Sequence, residues 1–215
     1  AESKDNINKA YNLISTSKVR NEMIIDDVIT CVARKQTPVI LTRFKEHAKF
    51  LHDALKKKAD HVFLLYGDNS DKENAEIRVK LKQIPENESL ILVATGQKIG
   101  EGFDFPRLDV LMLAAPVSFE GRLEQYVGRL NRDYVGKEAV YVYDYIDSHV
   151  RYFDKMYAKR LRTYRKMGFS IWTQELQPKQ IINAIFDSVN YTEKFEQDIV
   201  ESEKMVVISS PDIRQ

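Results

Sequence analysis

The sequence predicts an α/β fold in which a parallel β-sheet lies between two layers of helices. Two observations support this fold class. Short apolar segments alternate along the chain with amphipathic segments of helical periodicity. Several apolar segments, such as TPVILT (37–42) and SLILVAT (89–95), offer almost no polar side chain to water. Strands that are apolar on both faces are typical of a parallel sheet covered by helices on both sides.

Local patterns predict the elements of the amino-terminal half. Residues 1–36 are predicted to be helical, because apolar side chains in RNEMIIDDVITCVARKQ recur at helical spacing and charges fill the other face. Residues 37–42 are rich in β-branched side chains and predict a strand. Residues 45–58 predict an amphipathic helix, and residues 61–67 (HVFLLYG) a strand that ends in a glycine turn.

The later elements continue the alternation. Residues 71–84 predict a charged helix that turns Ile77, Leu81 and Ile84 inward. Further strands are predicted at 89–95, 108–115 and 138–146, and further helices at 119–132 and 149–167. Right-handed crossovers between parallel strands would give a doubly wound layer, in which ligands gather at the carboxyl ends of the strands.

The chain is predicted to have three parts. Residues 1–36 are a helical lead-in from a preceding lobe, residues 37–148 are the α/β lobe, and residues 149–215 are a basic helix followed by a tail. The tail is predicted to contain two more helices and a final strand in KMVVISSPDI.

Composition excludes several classes of protein. Hydrophobic residues make up 43% and charged residues 30% of the 215-residue chain, as in soluble globular proteins. No apolar run approaches the roughly 18–20 residues of a membrane helix, so no membrane partner is expected. The single cysteine, Cys31, favours a reducing, cytoplasmic location. The four histidines form no metal-ligand spacing with Cys31, and no metal site is expected.

A glycine-rich loop follows the predicted strand 89–95. The stretch ATGQKIGEGFDFPRLD contains Gly96, Gly102 and Asp104. Backbone N–H groups in such loops can cradle phosphate oxygens, and a carboxylate can orient a guanidinium or bind a ribose hydroxyl. The alternative is an ordinary connecting loop whose glycines only turn the chain.

The helix 119–132 ends in QYVGRLNRD, which places Gln125, Gly128, Arg129 and Arg132 on or near one face. Two guanidiniums on that face could stabilise the charge on a transferring phosphoryl group. The alternative is a solvated basic face paired with neighbouring carboxylates.

The predicted helix 149–167 carries a basic stripe opposite an apolar side. The stripe comprises Arg151, Lys155, Lys159, Arg162 and Lys166. One interpretation is a helix that follows nucleic-acid phosphates. The other is an amphipathic helix that packs on the sheet while its lysines are simply solvated.

Taken together, the glycine-rich loop and the QxxGRxxR helix resemble motifs V and VI of the second RecA-like lobe of superfamily-two helicases and translocases. The segments PVILTRFKEHAKFLHDAL and LLYGDNSDKENAEIRVKLKQI resemble the motif IV region and the segment between motifs IV and V. The resemblance covers about residues 37–147 and is greatest to the restriction-enzyme-like and DEAD/DEAH-related branch. It implies a RecA-like sheet with helical extensions at both ends.

The resemblance implies roles for individual residues. Arg132 would be the arginine finger and Arg129 a phosphate clamp, both contacting ATP. Gln125, Gly102 and Asp104 would contribute to nucleotide binding. The residues implied in contact with the nucleic-acid backbone are Thr95, Gly96, Thr42 and Arg43.

The chain contains neither a G-x-x-x-x-G-K-[ST] loop nor a DEAD-type acidic box. The resemblance therefore implies part of a longer ATP-dependent helicase, in which a first lobe holds Mg²⁺, and we expect no ATP hydrolysis by this chain alone. DNA is favoured over RNA as the nucleic acid on family likeness. Two alternatives remain: a non-catalytic RecA-like module that binds nucleic acid or protein, and an unrelated α/β enzyme such as a nucleotide-sugar transferase.

Overall fold

A computed structural model describes residues 4–96, 105–117, 120–148, 150–174 and 203–209. The helices are α1 (Lys4–Thr16), α2 (Lys18–Ala33), α3 (Lys45–Leu55), α4 (Asp71–Gln83), α5 (Glu120–Leu130) and α6 (Arg151–Lys166). The strands are β1 (Pro38–Thr42), β2 (His61–Leu65), β3 (Leu90–Thr95), β4 (Val110–Leu113), β5 (Val140–Ile146), β6 (Ser170–Gln174) and β7 (Glu203–Ser209).

The strands form one sheet in the order β2-β3-β1-β4-β5-β7-β6. The first five strands in this order are parallel; in the register of β1, Leu41 pairs with Ala94 of β3 and with Leu113 of β4. Helices α3, α4 and α5 connect successive parallel strands. The prediction of an α/β fold with a parallel sheet is therefore confirmed.

Alternating strand residues pack into two separate cores. On one face, Val39 and Leu41 belong to a cluster that includes side chains of α4, α5 and α6. On the other face, Ile40 belongs to a cluster with side chains of α2 and α3, among them Cys31. The side chains of β1, β3 and β4 are buried throughout, which explains why these strands read as continuous apolar runs.

Side-chain caps fix the starts of two helices. The Ser17 side chain accepts a hydrogen bond from the backbone N–H of Arg20 at the start of α2. At the start of α4, the backbone N–H of Glu73 donates to Ser70 Oγ (3.2 Å), and the backbone N–H of Ser70 donates to Glu73 Oε2 (2.6 Å). This reciprocal pair is a capping box, which accounts for a well-defined start to a helix of low apolar content.

The carboxyl-terminal part adds strands to the sheet. α6 ends where Gly168 adopts a positive φ of 79°. β6 then follows and pairs antiparallel with β7, which pairs antiparallel with β5. The predicted final strand corresponds to β7, whereas β6 was not predicted because five residues after a glycine carry little periodic signal. The two helices predicted in the tail fall within residues 175–202, outside the described residues.

The amino-terminal helices contact different parts of the lobe. α2 packs on the sheet through Ile24 and Val28. α1 packs against the first turns of α6, where Tyr11 contacts Phe153 with ring centroids 4.7 Å apart. Among the helices that the structure describes, none combines the length and apolar character of a membrane-spanning segment.

Candidate functional site

Helix α5 buries one face and turns the other outward. Its buried side chains are Leu123, Tyr126, Val127 and Leu130, at the i, i+3, i+4, i+7 spacing of a single stripe. The opposite face carries Gln125 and Gly128, both exposed, and Arg129, which is half-buried; Arg132 follows the helix and is exposed. Gln125, Gly128 and Arg129 therefore share the side of α5 that faces away from the core, and Arg132 is exposed two residues past its end; we call this group the arginine face (Gln125, Gly128, Arg129 and Arg132).

The middle of the arginine face is open. A Cβ atom built on Gly128 would meet no heavy atom within 4 Å. The glycine is therefore not required for packing against the part of the chain that the structure describes, and helix propensity alone would favour alanine at an exposed helical position. A small residue here leaves room for a group that approaches α5 from outside.

The arginine face lies a helix length from the strand-end loops. α5 connects the carboxyl end of β4 to the amino end of β5, and its 11 residues span about 16 Å. Just past its end, Lys137 Nζ donates to the backbone carbonyl of Pro106, which precedes β4, at 2.8 Å. The arginines therefore lie toward the amino-terminal edge of the sheet, whereas Thr42, Arg43, Thr95 and Gly96 lie at the carboxyl-terminal edge.

Lys137 also caps α5, a role that the sequence did not reveal. Its Nζ donates to the carbonyl oxygens of Leu130 and Arg132 (3.2 Å to the latter), so a cation satisfies the end of the helix. Burial lowers the pKa of Lys137 to about 8, against the raising effects of Asp109 and Asp133. A cavity of about 500 Å³ opens beside it, lined by residues 131–135, 137, 139 and 140.

A hydrogen bond joins the end of β3, where motif V begins, to motif VI on α5. Tyr126 Oη donates to the carbonyl oxygen of Gly96 at 2.7 Å. A Cβ on Gly96 would lie 2.9 Å from that hydroxyl, so the close approach favours glycine. Thr95, at the end of β3, is buried. Gly102 and Asp104 lie outside the described residues, so their predicted roles stay predictions.

Thr42 has an internal role. Its hydroxyl lies 2.7 Å from His47 Nδ1, and His47 Nε2 lies 2.8 Å from Asn21 Oδ1. Because Asn21 Oδ1 can only accept, Nε2 carries the proton and Nδ1 accepts from the Thr42 hydroxyl. The Thr42 side chain is buried and engaged in this chain of hydrogen bonds. If the carboxyl end of β1 contacts nucleic acid, the contact is therefore made by its backbone and by Arg43.

Arg43 remains at the surface. Its guanidinium lies over the ring of Tyr11, 4.3 Å from the centroid, and 6.0 Å from the centroid of Phe44. The side chain is exposed, so it is held in place while its charge faces solvent.

The buried His47 predicts a pH-dependent stability. Burial, followed by the nearby Arg20 charge, lowers the pKa of His47 from 6.5 to about 3. Between these values the unfolded chain binds a proton that the folded chain does not. The contribution of His47 to the free energy of unfolding is therefore fully present above about pH 6.5. It falls as the pH decreases toward 3, by up to about 1.4 kcal/mol per pH unit.

Urea unfolding at pH 7 and pH 4.5 measures this effect. We expect the wild-type chain to lose roughly 2 kcal/mol more than a His47→Gln variant over this interval. Equal losses in the two proteins would show that His47 is not the responsible group.

Two buried ion pairs, also missed from sequence, hold the segment that leads into α5. Arg20 Nη1 donates to the carbonyl of Ala114 at 2.6 Å, and its Nε and Nη2 donate to Asp147, each at 3.3 Å. Arg160 Nη1 donates to the carbonyl of Val117 at 3.1 Å, while Nε and Nη2 donate to Asp144 at 2.6 and 2.8 Å.

A third donor completes this grip on residues 114–117. Tyr11 Oη donates to the carbonyl of Pro116 at 3.0 Å. Side chains from α1, α2 and α6 thus fix the backbone from which the arginine helix starts. The signal in the sequence was Asp144 within an otherwise apolar strand, because a carboxylate there requires a buried partner.

The fold and this arrangement define a RecA-like lobe with helicase motifs at its strand ends and on α5. The chain belongs to the helicase conserved C-terminal domain family, whose model matches residues 20–133. This family membership confirms the predicted resemblance to a carboxyl-terminal helicase lobe.

Viral proteins are among its relatives. The chain is 34% identical over 118 residues to the putative helicase 161L of Invertebrate iridescent virus 6, covering 54% of this chain and 22% of the relative. It is 31% identical over 120 residues to the transcript termination protein A18 of Yaba-like disease virus, covering 55% and 24%. The chain thus spans about a quarter of the length of these relatives.

The crystal structure of T4 UvsW shows the same fold. It superimposes with a TM-score of 0.60 at 21% identity, covering 77% of this chain and 35% of that one.

Proposed function

We propose that this chain is the carboxyl-terminal motor lobe of an ATP-dependent nucleic-acid helicase or translocase. The observation that carries the proposal is the arginine face: α5 buries its apolar stripe, Gln125 and Arg129 lie on its other side, and Arg132 is exposed just past its end. A nucleotide-binding cleft between two lobes needs polar and cationic side chains of this kind on the outer surface of each lobe.

In this proposal ATP binds between the arginine face and a first RecA-like lobe. Arg132 acts as the finger that stabilises charge on the transferring phosphoryl group, and Arg129 clamps a phosphate. Gln125 contacts the nucleotide beside them, and Gly102 and Asp104 contribute from the preceding loop. Closure is favoured with ATP bound, because the guanidiniums gain charge-assisted hydrogen bonds only when the lobes meet.

Within the part of the chain that the structure describes, no three His, Cys, Asp or Glu side chains cluster as metal ligands would. The proposal assigns Mg²⁺ to the first lobe, which would carry the acidic box that this sequence lacks, and there the ion would neutralise phosphate charge. The residues of this lobe position the phosphates from the opposite side.

The carboxyl-terminal edge of the sheet is the proposed nucleic-acid side. Arg43, Gly96 and the backbone at Thr42 and Thr95 would contact phosphates, which gives little sequence readout. The names of the relatives, a putative helicase and transcript termination proteins, support a nucleic-acid substrate. A preference for DNA over RNA rests on family likeness.

ATP hydrolysis by one-lobe and two-lobe proteins tests the proposal. We expect the 215-residue chain alone to show no turnover above background, because it supplies only one side of the phosphate site. Joined to a first lobe with a phosphate-binding lysine loop and an acidic box, it should hydrolyse ATP. Turnover by the chain alone, or none by the two-lobe protein, contradicts the proposal; the second result favours a non-catalytic binding module.

A further inference from the structure

We infer that the exposed face of α6 is a second contact surface for the phosphate backbone of single-stranded nucleic acid, continuous with the contact at Arg43. This inference extends the proposed function, since it assigns nucleic acid to a helix outside the family match at residues 20–133.

Charge is concentrated on this helix. Seven of its 16 side chains are basic and only Asp154 is acidic. The rest of the chain carries 26 basic and 31 acidic residues, so a protein of formal net charge +1 has its positive charge gathered on one element. Such segregation creates a local positive field that attracts polyanions.

The positive charge lies on the outer face. α6 packs against the lobe through Phe153, Met156, Thr163 and Tyr164, and Arg160 is neutralised by Asp144. The other six basic side chains are exposed: Arg151, Lys155, Lys159, Arg162, Arg165 and Lys166. We call these six the basic track.

Within the residues that the structure describes, few carboxylates compensate the basic track. Lys166 pairs with Glu124 at 3.1 Å. The other five form no ion pair with another residue that the structure describes. Along the helix, Arg151 and Lys155, then Lys155 and Lys159, are like charges four residues apart, a spacing that destabilises a helix. Bound phosphates would relieve this repulsion, whereas solvated lysines leave it in place.

The basic track begins near Arg43, at the proposed nucleic-acid contact of the lobe. α6 follows the carboxyl end of β5 and so starts at the same edge of the sheet as Arg43. Arg43 stacks on Tyr11, and Tyr11 packs on Phe153 in the first turn of α6. Two aromatic rings therefore separate Arg43 from the start of the helix. From there the track runs about 24 Å along the lobe, with a cation on average about every 4–5 Å.

The measurement is binding of the chain to fluorescent single-stranded 20-mers of DNA and of RNA across a salt series. The test variant is the triple substitution Lys155→Gln, Lys159→Gln and Arg162→Gln. The matched control is the triple substitution Lys56→Gln, Lys57→Gln and Lys58→Gln, which removes the same charge from three exposed residues after α3. Glutamine is a good helix former, and thermal unfolding verifies that both variants fold.

We expect the track variant to bind at least about tenfold more weakly at about 0.1 M salt. Its slope of log affinity against log salt should fall by about 2, since each lost phosphate contact contributes roughly 0.7 for a single strand. The control should match the wild-type chain. An equal loss with DNA and RNA supports the inference, and a loss with only one supports it and identifies the polymer.

Other outcomes overturn the inference. If the two triple variants weaken binding equally, net charge alone is responsible; the inference fails while the proposed function stands. If the wild-type chain binds neither 20-mer, both the track and the proposed nucleic-acid contacts of this lobe are contradicted.

Discussion

Replacing Asp144 by alanine is expected to lower the free energy of unfolding by about 3–5 kcal/mol, the cost of leaving a buried charge without its partner. Asp144 and Arg160 are 1% and 3% exposed, so neither charge can recover its hydration. Asp144 accepts two hydrogen bonds from the Arg160 guanidinium and a third from Tyr164 Oη at 3.0 Å. The substitution leaves all three donors without an acceptor in a buried site.

The effect should extend beyond stability. Arg160 also donates to the carbonyl of Val117, next to the start of α5. Without Asp144 the guanidinium has no carboxylate to hold its orientation, so the grip on this segment weakens. We therefore expect amide hydrogen exchange in α5 to accelerate more than exchange in α3, which packs on the opposite face of the sheet.

Urea unfolding monitored by circular dichroism measures the loss of stability. The matched control is Lys166→Ala, which breaks the exposed pair with Glu124 and should cost less than about 1 kcal/mol. A loss of under about 1 kcal/mol for Asp144→Ala would show that the buried pair contributes no more than a surface one.

The sequence was sufficient to predict the parallel sheet and its order of elements, because buried strands and amphipathic helices have distinct periodicities. β1 was predicted as 37–42 and spans Pro38–Thr42, and α4 was predicted as 71–84 and spans Asp71–Gln83. The outward face of α5 was also predictable, since Leu123, Tyr126 and Leu130 mark its buried side.

Long-range partners were not predictable from local patterns. His47 is only five residues from Thr42, yet the hydrogen bond between them was not predictable, because it depends on how α3 packs beside β1. The pairing of Arg20 with Asp147 joins residues 127 positions apart. The helical spacing of the arginines likewise gave no indication that α5 carries them to the opposite edge of the sheet from Thr95.

The second large effect concerns Arg132. In the two-lobe protein, Arg132→Ala is expected to reduce the rate of ATP turnover by about 10³–10⁵-fold, as loss of an arginine finger does. The fold should be unaffected, because the side chain is exposed and the backbone carbonyl that accepts from Lys137 is retained. The substitution therefore changes the rate of ATP hydrolysis without changing the stability of the fold.

Arg34→Ala is the matched control for this substitution. Arg34 is an exposed arginine at the end of α2, and α2 covers the opposite face of the sheet from α5. Its replacement removes the same charge from the other face of the sheet.

The rate of ATP hydrolysis by these two variants, measured in the two-lobe protein with nucleic acid present, tests the central claim most directly. We predict that Arg132→Ala loses turnover by at least a thousandfold while Arg34→Ala stays within about twofold of the wild-type rate. Turnover by Arg132→Ala within twofold of the wild-type rate, in a protein that remains folded, would contradict the claim that the arginine face contacts ATP.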